Sequence, residues 1–127
     1  IPRISYNSNF MPGFWYEETE FKVDQNFKNI IDISDYLKII EDLKHKSSVL
    51  IFNKVPDNKG LEKKQIEKWI NQSVVKANSK NVKGKELTPF LISEMNQLSK
   101  NKTLKANTAL IINNALLAGK ISKEFYS

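Results

Sequence analysis

The chain has 127 residues, no cysteine, one histidine and a formal net charge of +6. That length allows one domain or part of a larger one, and the composition, 40% hydrophobic and 27% charged, is that of a soluble globular chain rather than a disordered one. Disulfides, thiol nucleophiles, Cys-based zinc sites and histidine clusters are excluded, and no apolar run approaches the ~18 residues of a membrane span.

The chain opens Ile1-Pro2-Arg3, without an initiator methionine or the basic and apolar regions of a signal peptide, so a fragment, a processed chain or a trimmed chain is expected. Residues 2–6 (PRISY) read as a short strand. Residues 8–18 (SNFMPGFWYEE) form an aromatic-rich loop broken at Pro12-Gly13, whose bulk is costly to leave in water. It is expected to fold over the core; an oligomer or substrate contact is the sharper reading. Residues 20–23 (EFKV) alternate like a strand. Glu17, Glu18 and Glu20, like Glu41 and Asp42, lack metal-loop spacing and read as solvated.

Asp32 is predicted to cap a helix running to about Lys46, with Tyr36, Leu37, Ile40 and Leu43 at helical spacing. His45 then falls in its last turn as a surface residue. Residues 48–53 (SVLIFN) are a continuous apolar run, as in a strand buried on both faces of an α/β sheet, and 53–60 (NKVPDNKG) is the following loop. Residues 62–79 give the clearest helix, with a stripe of Ile66, Trp69, Ile70, Ser73, Val74 and Ala77. Gly84 breaks the pattern. Thr88-Pro89 is predicted to start the next helix, with threonine as N-cap and proline at the first helical position. After a turn at 99–102, Thr103 is predicted to cap a last helix to about Phe125.

That last helix is apolar on nearly every side, which predicts burial all round. Asn107, Asn113 and Asn114 interrupt it, and asparagine is costly to bury without partners. One reading has these amides bridging neighbouring loops. Another has an amide presenting donor and acceptor to a polar ligand, such as a nucleobase edge.

The basic excess raises nucleic acid or an anionic substrate as partner. Yet Arg3 is the only arginine, and arginine is the usual tool of base and phosphate recognition. The scattered lysines read as solvated surface, with no membrane and no specific nucleic acid as partner. No phosphate loop, dinucleotide fingerprint, Ser-His-Asp set or zinc motif is present. By these signals alone the chain is part of a soluble α/β protein without a named reaction.

Two stretches add a resemblance. Residues 82–92 (VKGKELTPFLI) and 103–118 (TLKANTALIINNALLA) together resemble the C-terminal signature of the pseudouridine-5′-phosphate glycosidase family, also called indigoidine synthase A-like. That family shows G-K-E-x-T-P-F-L-L, then a helix of the form S-L-x-A-N-I-A-L-V-x-N-N-A. Upstream, 53–56 (NKVP) stands where the family has N-P-I-P, and 6–16 (YNSNFMPGFWY) where it has Y-x-T-x-x-x-P-A-F-F/Y. Lys54, Gly13, Ser8, Thr108 and the SKNK turn depart from the pattern, as in a divergent member.

The resemblance implies an α/β fold, the C-terminal part of a three-layer α/β/α architecture with a mixed sheet, helix-rich in its second half. It makes residues 1–127 one segment of a single domain whose N-terminal catalytic portion lies outside it. It implies reversible cleavage of the C–C glycosidic bond of pseudouridine 5′-phosphate to uracil and ribose 5-phosphate, with a Schiff-base lysine, a proton-transfer glutamate and a divalent metal, typically Mn²⁺. The lysine, the glutamate and the metal-binding aspartate all lie upstream in the family, so no catalytic or metal-binding residue is expected here and the chain alone is expected to be inactive. Asn107 resembles the amide that contacts uracil, and Lys85 and Thr88 are weaker substrate-site candidates. A homotrimer and a cytoplasmic nucleotide-salvage role are implied as well. The alternative is a non-catalytic nucleotide- or RNA-binding or interaction module derived from the family; a fusion to a sugar kinase is left open.

Overall fold

The computed structural model describes residues 1–127. Three parallel strands, β1 (Arg3–Tyr6), β2 (Gln25–Phe27) and β3 (Leu50–Phe52), form one sheet in the order β2-β1-β3. Ile4 pairs with Gln25 on one side and Ile51 on the other. The helices are α1 (Ile30–Asp42), α2 (Lys63–Ser79), α3 (Leu87–Leu98) and α4 (Lys102–Phe125). The α/β class and the helix-rich second half are as expected; antiparallel pairing is confined to one bridge, Phe10 with Lys22.

β1 is the central strand, and its alternation buries both faces. Ile4 packs into a core with Ile33 of α1 and with Leu117 and Ile121 of α4. Ser5, on the other face, donates to the Ser8 carbonyl. α1 and α4 thus cover one sheet face, while α2 and α3 pack as a hairpin whose second helix touches α4. No helix is long and apolar enough to cross a membrane.

Several boundaries differ from the sequence reading. Residues 20–23 make only the Lys22 bridge, and the strand beside β1 is 25–27. Its position is fixed by a clasp: the Arg3 backbone N–H donates to Asp24 Oδ2 at 2.8 Å while the guanidinium reaches Asp24 Oδ1 at 2.7 Å. Asn29, not Asp32, caps α1, accepting from the Asp32 N–H at 2.8 Å and donating to the Asp32 carboxylate at 2.7 Å. α1 ends at Asp42, so His45 lies beyond it, exposed. β3 is not buried on both faces: it is an edge strand, and Leu50 is 46% exposed.

The two later caps differ too. A 3-10 turn at Gly84–Glu86, entered with Gly84 at φ +62°, winds straight into α3. Thr88 is therefore already inside the helix and exposed, and caps nothing. Pro89 still falls in the first turn, where a missing N–H does no harm. α4 starts from Asn101 at φ +64°, a left-handed conformation that asparagine tolerates. Thr103 sits one residue inside the helix, fully buried. Its N–H is satisfied by Ser99 Oγ at 3.1 Å, and its hydroxyl donates to Asn96 Oδ1 at 2.8 Å. Beyond that, α4 buries one stripe, Thr103, Ala106, Leu110, Leu117 and Ile121. Leu104, Ile111, Ile112 and Leu116 remain exposed, because α1, α3 and the sheet lie against one side of the helix only.

The aromatic loop folds back on the body. Met11 N–H donates to Phe21 O at 2.7 Å and Leu61 N–H to Trp15 O at 2.7 Å. Tyr16 lies flat on Gly13, where a Cβ would stand 2.5 Å from its ring. Glu17, Glu18 and Glu20 are exposed, as expected, and each also meets a partner: Glu17 faces Lys54 at 3.7 Å, Glu18 accepts from Ser8 Oγ at 2.6 Å, and Glu20 meets Lys63 at 3.0 Å.

Candidate functional site

The carboxyl ends of β1 and β3 lie side by side, and the loops that leave them diverge. Such a place in a parallel sheet is where α/β proteins open a ligand crevice. Here it is a cleft of about 290 Å³, lined by Tyr6 and Asn7 after β1, Asn53 and Lys54 after β3, and Asn113 and Lys120 of α4. Asn7 ends β1 at φ +57°, and its N–H donates to Phe27 O at 2.9 Å. Asn113 Nδ2 donates to the Lys54 carbonyl at 3.1 Å, tying the middle of α4 to the loop after β3. Val55, fully buried, anchors that loop from beneath. Of the readings open for the helix asparagines, Asn113 takes the loop-bridging one.

The cleft is polar, lined by two ammonium groups, three amides and one carboxylate. Lys54 Nζ stands 3.6 Å from Asp57 Oδ1 and 3.7 Å from Glu17 Oε2, loose distances for a charge-assisted hydrogen bond. Lys120 takes part in none of the ion pairs, whose cations are Arg3, Lys54, Lys63 and Lys76. Asn53 Nδ2 is buried with no acceptor, a state that costs roughly 1–3 kcal/mol.

Beside the cleft is a larger, apolar groove of about 740 Å³ between α1, β3 and the C-terminal half of α4, lined by Leu37, Ile40, Ile51, Leu117 and Phe125 among others. Asn53 and Leu117 line both concavities.

The residues predicted from sequence lie elsewhere. Asn107 is half-buried near the start of α4; Lys85, in the 3-10 turn, and Thr88, at the start of α3, are exposed neighbours. None of the three lines the cleft or the groove. The side chains with shifted protonation form two exposed pairs outside the cleft. Hydrogen bonding to Asp24 raises Arg3 and that to Arg3 lowers Asp24; hydrogen bonding to Lys63 lowers Glu20 and that to Glu20 raises Lys63. No three His, Asp or Glu side chains come together to hold a metal ion, so no metal-dependent step is derived from these residues.

The family model described as "Indigoidine synthase A like protein" matches residues 1–124. The chain belongs to the indigoidine synthase A-like family. Curated relatives named pseudouridine-5′-phosphate glycosidase include one from Petrotoga mobilis, 36% identical over 98% of this chain and 41% of its own length. One from Caldanaerobacter subterraneus is 34% identical over 96% of this chain and 40% of its own. This indigoidine synthase A-like chain therefore spans about two-fifths of the length of the curated relatives it matches. A crystal structure of an indigoidine synthase A-like protein from Thermotoga maritima, 26% identical, matches 95% of this chain and 39% of its own with a TM-score of 0.81. A prealnumycin C-glycosynthase, solved in complex with ribulose 5-phosphate, matches 98% of this chain and 41% of its own with a TM-score of 0.86; at 14% identity it shows the fold alone.

Asn53, Lys54 and Lys120, which line the cleft, are not among the site residues that the sequence predicts. For Asn53 and Lys54 the one local signal is the break of an apolar strand into the polar NKVP stretch, the usual mark of a strand end; Lys120, in α4, carries none. Asn113 carried a clearer signal, an amide inside an apolar helix.

Proposed function

We propose that this chain is the C-terminal portion of an enzyme that reversibly cleaves the C–C glycosidic bond of pseudouridine 5′-phosphate to uracil and ribose 5-phosphate. The observation that carries the reading is the near end-to-end match to relatives named for that activity. A carbon-bound base is not expelled like an ordinary glycoside, so the sugar must be opened and given an electron sink, for which a lysine imine is suited. The lysine, the glutamate and the Mn²⁺ ligand of that chemistry belong to the N-terminal part of the family pattern, and residues 1–127 are assigned none of these roles. The complete enzyme is proposed as a homotrimer.

Within this chain Asn107 is the residue proposed to meet the base. Its amide offers one acceptor and a donor pair, which match the alternating N–H and C=O of a uracil edge. Lys85 and Thr88 are proposed only to shape the surroundings. The test is uracil release by the complete protein with Mn²⁺, for the wild type and Asn107→Ala. Losing an amide–base contact worth about 1–3 kcal/mol raises KM by roughly fivefold or more. An unchanged KM removes the contact, and a wild type that releases no uracil removes the reaction.

A further inference from the structure

We propose that the cleft at the carboxyl ends of β1 and β3 is a binding site for a phosphoryl group, as inorganic phosphate or a small phosphate monoester, separate from the place assigned to Asn107. Two lysines line it, against one carboxylate at the rim, Asp57. Lys120 is in no ion pair, and Lys54 holds its two carboxylates at 3.6 and 3.7 Å, so both ammonium groups have donors to spare. Asn53 Nδ2 is a buried donor with no acceptor, and a ligand oxygen supplies what it lacks. The bond from Asn113 to the Lys54 carbonyl fixes the loop beforehand, so little ordering is left for the ligand to impose. At about 290 Å³ the cleft sits at the small end of ligand pockets, which suits a phosphate or a pentose phosphate better than a nucleotide.

The helix separates this site from Asn107. Six residues of α-helix place side chains about 120° apart around the axis and about 9 Å apart along it, so Asn107 and Asn113 flank the buried stripe of α4 from its two sides. Asn107 does not line the cleft, so binding there is read independently of the reaction proposed above.

The test uses the complete protein and titrates inorganic phosphate, then ribose 5-phosphate, while the Asn53 side-chain amide is followed by NMR. Asn53 also borders the apolar groove, so the comparison with a variant of Lys120, which lines the cleft alone, assigns the signal to the cleft. The expected result is a saturable shift of the Asn53 amide whose midpoint weakens about tenfold in Lys120→Gln, as for loss of one charge-assisted hydrogen bond. Asn107→Ala leaves the midpoint unchanged. A matched unfolding midpoint verifies that Lys120→Gln folds like the wild type. An Asn53 signal that does not saturate, or a midpoint equal in wild type and Lys120→Gln, overturns the proposal. Tighter binding of ribose 5-phosphate identifies a monoester as occupant, and equal binding identifies free phosphate. Uracil release is assayed separately, so the two readings fail independently.

Discussion

Arg3 is the chain's only arginine, and it is fully engaged within the protein. Its guanidinium grips Asp24 through Nε at 3.3 Å and a terminal nitrogen at 2.7 Å, while its backbone N–H adds a third bond. This fork-on-carboxylate geometry sets where β2 joins β1, and it takes out of service the one side chain best suited to reading phosphates or bases. Because the Arg3 hydrogen bonds hold the Asp24 carboxyl below its ordinary value, the clasp contributes in full above that ordinary range. Its contribution is lost as pH falls through the lower folded value. The expected outcome is that the stability difference between wild type and Asp24→Asn shrinks as pH drops below about 4, as read from urea midpoints across pH. Both partners are half exposed, so the difference also shrinks with added salt.

At the scale of elements, legibility followed range. α2 was readable because its stripe needs only its own 17 residues, and Ile66, Ser73 and Ala77 are buried as the spacing demands. The ends of α1, α3 and α4 were misread because several neighbouring polar residues compete to cap, and tertiary partners decide among them. Thr103 resembles a cap in sequence, yet Ser99 and Asn96 hold it inside the helix. The cleft is the extreme case: Tyr6, Asn53 and Asn113 converge from distant parts of the chain, and no local pattern predicts that. Asn107 stood out only through its motif and its apolar surroundings. The pair joining α2 to α3 was equally silent. Lys76 Nζ lies 2.6 Å from Glu94 Oε2, with the glutamate side chain only 10% exposed and the lysine 45%. Lys76→Met leaves a nearly buried carboxylate unpaired and is expected to cost about 1–3 kcal/mol by urea unfolding. Adding Glu94→Met should recover part of that loss, since removing both partners spares the unpaired charge. A double variant as unstable as the sum of the singles shows that the pair is not coupled.

For the molecule as a whole, the apolar surface of α4 is the largest difference between expectation and structure. Sequence predicts a helix buried all round; here Ile111, Ile112 and Leu116 are 59%, 56% and 59% exposed. A neighbouring set of large aliphatic side chains in water marks an interaction surface more often than a solvent face. The relatives that match this chain run to about two and a half times its length, and under the proposed function the rest of that fold covers α4. The prediction is made on the complete protein, where Ile112→Gln and Leu116→Gln place a polar amide against apolar neighbours. Each is then expected to destabilise by about 2 kcal/mol or more, like a core substitution. The same changes on a solvated face stay within about 0.5 kcal/mol. Urea midpoints of the two variants separate these cases, and values in the smaller range would show that the apolar face of α4 stays in water.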